Sequence, residues 1–160
     1  MISIRNINAY TLKKILEFKL KPFQEHFVYT SEEINITRKI HPEWHIKVIK
    51  NDNKVIGSTV VEYNKSEKFA MVNQFLINED YQGKGFGKKS LKQLINYLKK
   101  IRKIKEIRLF VVLENKIAIN LYESLGFRKT GFYSEDEYGK MELMILSLKN
   151  KIKNYSNNID

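Results

Sequence analysis

Apolar positions along this chain switch between two repeats, and the switches mark its elements. Residues 1–5 alternate and read as a short strand. From Asn8 to Leu20, the side chains of Leu12, Ile15, Leu16 and Phe18 fall at helical spacing, and Pro22 stops the run. Thr30 and Glu33 have capping-box spacing, which predicts a short second helix over 31–40 that ends before Pro42. Residues 45–50 and 54–63 flank the Asn51-Asp52-Asn53 turn and read as a hairpin. After the polar turn 64–68, residues 69–77 add a third strand.

The clearest helix is predicted over 87–103, where Leu91, Leu94, Ile95, Leu98 and Ile101 share one face and lysines fill the other. Residues 107–113 form an apolar strand, 115–125 a helix closed by Gly126, and 127–133 with 140–148 a final strand pair. The predicted order is βααβββαβαββ, an α/β chain folded as one domain over 1–148 with a polar tail at 149–160.

Composition narrows this picture. A chain of 160 residues with 42% hydrophobic content suits one continuous core. It has no cysteine, which excludes disulfides, thiolate nucleophiles and thiolate-ligated zinc, and His26, His41 and His45 have no ligand spacing, so no metal is expected. No stretch approaches the roughly 20 apolar residues of a membrane span, and residues 1–10 lack a leader pattern, so no membrane partner and a cytoplasmic location are expected. The net charge of +11 raises the question of nucleic acid. Nearly all of it is lysine spread along the chain, with arginine only at 5, 38, 102, 108 and 128, whereas base readout and bidentate phosphate grips favour arginine. A nucleic-acid partner is therefore not expected.

Three glycines alternate in Gln82-Gly83-Lys84-Gly85-Phe86-Gly87-Lys88-Lys89, between a strand and the best helix. Glycines let amides turn toward a ligand, and a helix start adds unpaired N–H donors and a positive dipole end, together a cradle for a pyrophosphate with Lys84, Lys88 and Lys89 around it. A tight turn that uses glycine only for geometry is the other reading. A P-loop does not fit, because only three residues separate Gly83 from Gly87 and Lys89 precedes Ser90. A dinucleotide turn does not fit either, since Lys88 and Ser90 stand where a third glycine belongs.

Gln82, Gly85 and Gly87 match Gln/Arg-x-x-Gly-x-Gly/Ala, motif A of the GNAT superfamily of N-acetyltransferases. Asn115-x-x-Ala118-x-x-Leu121-Tyr122-x-x-x-Gly126-Phe127 resembles motif B of the same superfamily. The resemblance implies a mixed, mostly antiparallel sheet flanked by helices, and acetyl-coenzyme A as the cofactor. It implies that Gln82, Gly83, Lys84, Gly85, Phe86, Gly87 and Lys88 hold the pyrophosphate. The strand at Phe75, Leu76 and Ile77 would bond the pantetheine arm, and Asn115 and Tyr122 would lie on the cofactor side. Asn115 also suits a helix cap, with Ala118, Leu121 and Leu125 packing on the sheet. In the family the tyrosine at the place of Tyr122 is the usual general acid for the departing thiolate; a core tyrosine is the alternative.

An alkylamine with a pKa of about 10.4 is neutral in only about one molecule in 2,500 at pH 7, so deprotonation costs roughly 4.6 kcal/mol and a base or water relay is useful. The strand before motif A, where many family members carry a carboxylate, has none. Glu62 on the preceding strand is a candidate base, Glu25 and Glu33 are candidate amine anchors, and Asn73 can position a water. The stretches Pro22 to Phe27 and Asn73 to Gly85 resemble the bacterial spermine/spermidine (diamine) N-acetyltransferase branch, which implies a small-molecule amine, a polyamine, as acceptor. That branch often has an acid where Asn73 stands. Glu135, Asp136 and Glu137, expected in the last turn, are candidates for an acidic rim. A protein N-terminus or lysine, an aminoglycoside, and a non-enzymatic coenzyme A- or nucleic-acid-binding module stay open. A homodimer is the commonest soluble assembly.

Overall fold

The computed structural model describes residues 1–24, 39–101, 103–136 and 139–148. Its elements are β1 (Ile2–Asn6), α1 (Ala9–Leu16), β2 (Trp44–Asn51), β3 (Lys54–Asn64), β4 (Phe69–Ile77), α2 (Phe86–Lys99), β5 (Glu106–Val112), α3 (Lys116–Glu123), β6 (Arg128–Asp136) and β7 (Gly139–Ser147). The strands make one sheet in the order β1-β2-β3-β4-β5-β7-β6. Its strand pairs are antiparallel except β4 with β5. This is the mixed, mostly antiparallel sheet flanked by helices that the sequence implies. The short helix expected over 31–40 lies almost wholly outside the described residues.

Alternation along the strands sorts side chains onto the two faces. On one face α2 buries Leu91, Leu94, Ile95 and Leu98 against Ile49, Val61, Val72, Ile107 and Leu109. On the other, Ile15 of α1 packs with Ile46, Val48 and Val60. Each fully buried leucine or isoleucine contributes about 1.5–3 kcal/mol, so the two faces supply the rigidity against which the loops are set.

The helices are shorter than their apolar periodicity suggests. α1 starts where expected, with Asn8 and Thr11 forming a reciprocal capping box, but it ends at Leu16 rather than Leu20. The backbone of Lys19 is used elsewhere: its amide donates to Asn78 Oδ1 and its carbonyl accepts from the Glu79 amide, which straps this segment to the loop after β4. α2 ends at Lys99, and Ile101 lies past it, because the amides of Lys100 and Ile101 close tight bonds to Tyr97 and Leu98 and Lys103 then turns with φ +83°. In α3 the side chain that seals the core is Ile119, while Ala118, Leu121 and Leu125 are only partly buried.

The last hairpin also differs. β6 runs to Asp136, so Glu135 and Asp136 are strand residues, with Glu135 opposite Lys140 and Asp136 opposite Gly139. Lys140 Nζ lies 4.8 Å from the centre of the Tyr133 ring, a cross-strand contact within this part of the ladder, which continues where the sequence reads as a turn.

Candidate active site

β4 and β5 pair over only three rungs, Phe69–Glu106, Ala70–Ile107 and Met71–Arg108, and then diverge. One cause lies in β4: opposite β3 the register jumps between Val60–Gln74 and Val61–Val72, leaving Asn73 as an extra, unpaired residue. Such a bulge bends its strand and increases the local twist. The fork exposes one edge of Val72–Ile77, whose opposite edge remains bonded to β3.

A cavity of about 490 Å³ fills the fork. β4 contributes Val72 to Ile77, β5 contributes Phe110 to Val112, and Gln82, Gly83 and Gly87 close one end. Asn115, Ile117, Ala118, Leu121 and Tyr122 form a wall, and Asp136 and Met141 come from the final hairpin. Its size and mostly apolar lining suit a small-molecule or cofactor site.

The glycine loop carries the backbone geometry needed for anion binding. Gly83 and Gly85 have φ +72° and +77°, and a Cβ built on either meets nothing within 4 Å, so the space before them is open. Gly85 starts α2 without a side-chain cap, which leaves the first-turn amides without a capping acceptor. The loop is braced from behind. Gln82 Nε2 donates to the Ile77 carbonyl at 2.7 Å and to Gln24 Oε1 at 2.8 Å, and Lys84 Nζ donates to the Asp80 carbonyl at 2.8 Å.

At the far wall, Asn115 Oδ1 accepts from the Ala118 amide at 3.1 Å and caps α3. The helix ends with the Gly126 amide on Glu123 and the Phe127 amide on Tyr122, with Gly126 at φ +95°. These caps bound the eight-residue helix bearing Tyr122, whose ring lies 5.7 Å from that of buried Phe127. The Tyr122 hydroxyl has no hydrogen-bond partner among the described residues. Burial pushes its pKa up to about 12, so it is a proton-bearing donor at neutral pH.

Of the residues singled out in the sequence, Asn73, Phe75, Leu76, Ile77, Gln82, Gly83, Gly87, Asn115 and Tyr122 converge on this cavity. Lys84, Gly85, Phe86 and Lys88 belong to the loop and the start of α2 but do not line it, and Lys84 and Lys88 are exposed. Glu62 is not brought in. It pairs with Met71 and Trp44, at the closed end of the fork. Glu25 and Glu33 lie outside the described residues, as does Glu137. Asp136 reaches the cavity, and Glu135 is not among its lining residues. Sequence reasoning missed Lys21, Gln24, Phe110, Ile117 and Met141, which reach the site from separate elements and follow no local motif. It also missed Glu142, a carboxylate only 4% exposed whose Oε1 accepts from the Gly131 amide at 3.1 Å. A single acid inside the apolar run 141–146 was the signal for it.

Among the described residues, no group of three or more potential ligands can hold a metal, and no helix is long and apolar enough to cross a membrane.

The chain is similar to several known proteins. A spermine/spermidine N(1)-acetyltransferase of Bacillus subtilis is 39% identical over 89 residues, which cover 54% of this chain and 57% of that protein. A spermidine N(1)-acetyltransferase of Vibrio cholerae is 35% identical over 63 residues, covering 39% of this chain and 36% of the other. The chain thus spans about half the length of the curated relatives it matches. A crystal structure of spermidine N-acetyltransferase from Vibrio cholerae in complex with CoA and spermine superimposes with a TM-score of 0.75 at 22% identity, covering 91% of this chain and 95% of that one, and shows the same fold. The acetyltransferase (GNAT) family model matches residues 10–127, the stretch that holds both the glycine loop and the Tyr122 wall, and the chain belongs to that family.

Proposed function

We propose that this chain transfers the acetyl group of acetyl-coenzyme A to a primary amine, with a polyamine such as spermidine or spermine as acceptor. The observation that carries the reading is the fork itself: an open strand edge lies between glycine amides at one end and, on the wall, a protonated tyrosine hydroxyl with no hydrogen-bond partner among the described residues. The pyrophosphate binds at the amides of Gly83 to Lys88. The amide-bearing pantetheine arm lies along Phe75 to Ile77 as an added strand would, and its thioester reaches toward Tyr122.

In the reaction the amine lone pair attacks the thioester carbonyl carbon, a C–N bond forms, the C–S bond breaks, and the amine proton passes to water. The departing sulfur needs a hydrogen-bond donor. A phenol at about 12 is a weaker acid than a thiol near 8.5, so complete proton transfer to the thiolate is uphill by roughly 5 kcal/mol. Tyr122 therefore acts chiefly by hydrogen-bonding the growing negative charge, a role needed in the transition state more than in the ground state.

For the acceptor, Asn73 Nδ2 is buried without a partner among the described residues and suits an ordered water that takes the amine proton. Among the described residues, Asp136 is the carboxylate that lines the cavity, and it supplies local negative charge to attract a polycation to a chain of net charge +11. The polyamine reading is further supported by the names of the Bacillus subtilis and Vibrio cholerae relatives.

Two measurements test it. Isothermal titration with acetyl-coenzyme A reports the donor site, and absence of binding would sink the enzymatic reading. Thiol release against a panel of spermidine, spermine, peptide N-termini, lysine and aminoglycosides reports the acceptor. Release with the polyamines no greater than with buffer removes the polyamine and keeps the donor chemistry.

A further inference from the structure

The lysines run along the whole chain, but the acids do not. Between Asp80 and Glu106 lie 25 residues without an Asp or Glu, and they hold eight lysines and one arginine. That segment carries nine of the eleven units of net charge, while the rest of the chain, with 20 bases and 18 acids, is close to neutral. A solvated helix gains stability from acids set three or four residues from its lysines, and α2 has no such pair.

The fold gathers these charges on one surface. At about 100° per residue, Lys88, Lys92 and Lys99 fall within about 40° of one another and form a row roughly 16 Å long, with Lys89 and Lys100 beside it. Leu91, Leu94, Ile95 and Leu98 are buried on the other side, against the sheet. The surface continues past the helix. Lys103 and Lys105 are exposed, and the Lys105 amide donates to the Lys68 carbonyl at 2.7 Å, which brings the exposed Lys68 alongside. Among the described residues, Lys68, Lys92, Lys99, Lys100, Lys103 and Lys105 meet no carboxylate, and Glu67 and Glu106, next to this surface in sequence, pair with Arg108 instead. A row of like charges repels itself, and a polyanion laid along it relieves that repulsion.

The composition of the surface selects the polyanion. Base readout and bidentate grips favour arginine, but contact with a phosphate backbone needs only fixed positive charge and carries no sequence information. The two rings of α2, Phe86 and Tyr97, are partly buried against the core, so the helix offers no stacking platform for a single strand. Its apolar side is sealed against the sheet, so it has no free apolar face to enter a lipid surface. A rigid row of lysine suits the regularly spaced phosphates of a duplex.

From this we infer that the outward face of α2 and the turn after it, with Lys68, Lys92, Lys99, Lys100, Lys103 and Lys105, bind the phosphate backbone of double-helical nucleic acid without sequence preference. None of the six lines the cavity, so a duplex and acetyl-coenzyme A bind at separate places, and the inference does not rest on acetyl transfer.

The test is fluorescence anisotropy of the full chain with a labelled DNA duplex of mixed sequence. With about five phosphates neutralised, the log–log slope of affinity against salt is expected near −4.5, a loss of roughly 10²–10³-fold between about 50 and 200 mM salt. Unlabelled duplexes of unrelated sequence should compete equally. The triple variant Lys92→Glu, Lys99→Glu, Lys103→Glu is expected to bind at least about tenfold more weakly, with the slope shallower by about 2.7. Replacing the same three lysines by Gln gives a smaller loss in the same direction. A control of equal charge change on other surfaces, Lys13→Glu, Lys39→Glu, Lys54→Glu, should weaken binding less than about threefold. Circular dichroism checks that each variant is folded, and isothermal titration should find the affinity for acetyl-coenzyme A unchanged in all three. No anisotropy change with wild type at the lowest salt overturns the proposal, as does an equal loss in the α2 and control variants. Full displacement of the duplex by saturating coenzyme A would place it in the cofactor cleft and overturn it too. So would tighter binding to a single strand of the same length or to vesicles of phosphatidylglycerol.

Discussion

Gln82 and Ile77 are joined by a 2.7 Å hydrogen bond from the side-chain amide of one to the carbonyl oxygen of the other, which ties the glycine loop to the end of β4. The same Nε2 also donates to Gln24, so one side chain secures three segments around the cavity. Gln82→Ala removes both donations and leaves part-buried acceptors unmet, at a cost of about 1–3 kcal/mol. The expected result is a lower urea midpoint and roughly tenfold weaker binding of acetyl-coenzyme A by isothermal titration. Unchanged affinity would mean that the loop holds its shape without this tie.

Gly57 touches the same strand from behind. A Cβ there would stand 2.4 Å from the Leu76 carbonyl oxygen and 2.9 Å from Ile77 Cδ1, so β3 approaches β4 more closely than any side chain allows. Gly57→Ala must push Leu76 and Ile77 toward the fork. The expected destabilisation is about 1–3 kcal/mol, as for other overpacked interiors, with a loss of acetyl-coenzyme A affinity because both displaced residues line the cavity. Chemical denaturation and titration on the same preparation check both effects.

Gly57 also marks the limit of what the sequence reveals. The glycine loop and both caps of α3 are legible because their causes are local: positive φ at Gly83, Gly85 and Gly126, and an asparagine three residues before the amide it accepts from. The fork is not local. It depends on β4 and β5 parting after three rungs and on one extra residue, Asn73, opposite β3. Without the register, Glu62 reads as a neighbour of the site, whereas its partner Met71 lies where the strands still pair. Asp136 reads as a turn residue because the sequence does not show that the β6–β7 ladder runs on to the Asp136–Gly139 pair.

Asn73 tests the acceptor side of the cleft. Its Nδ2 is buried without a partner among the described residues, and the residue sits at the bulge. Asn73→Leu keeps the approximate size but cannot hold a water. It is expected to lower kcat by about 10–100-fold, within the range that general-base assistance supplies or less, while acetyl-coenzyme A affinity changes little. Raising the pH should recover part of the loss as more amine becomes neutral. Stopped-flow thiol release with spermidine at pH 7 and pH 9 measures both; a loss that is independent of pH would assign Asn73 to the strand's shape alone.

Tyr122 separates catalysis from stability through pH. If its hydroxyl stabilises the leaving sulfur, Tyr122→Phe lowers kcat by about 10²–10⁴ while the dissociation constant for acetyl-coenzyme A stays within about threefold. The stability effect follows from the raised pKa. Between the ordinary value near 10 and about 12, the unfolded chain loses this proton while the folded chain keeps it. The contribution from Tyr122 is therefore complete below pH 10 and lost as pH rises through about 12, by roughly 2–3 kcal/mol. Lysines also titrate in this window, so the informative quantity is the difference between wild type and Tyr122→Phe in urea midpoints at pH 9 and pH 11.5. Wild type should lose more stability than the variant. Equal losses, together with an unchanged kcat, would make Tyr122 a packing residue against Phe127 and leave the thiolate without a donor on this wall.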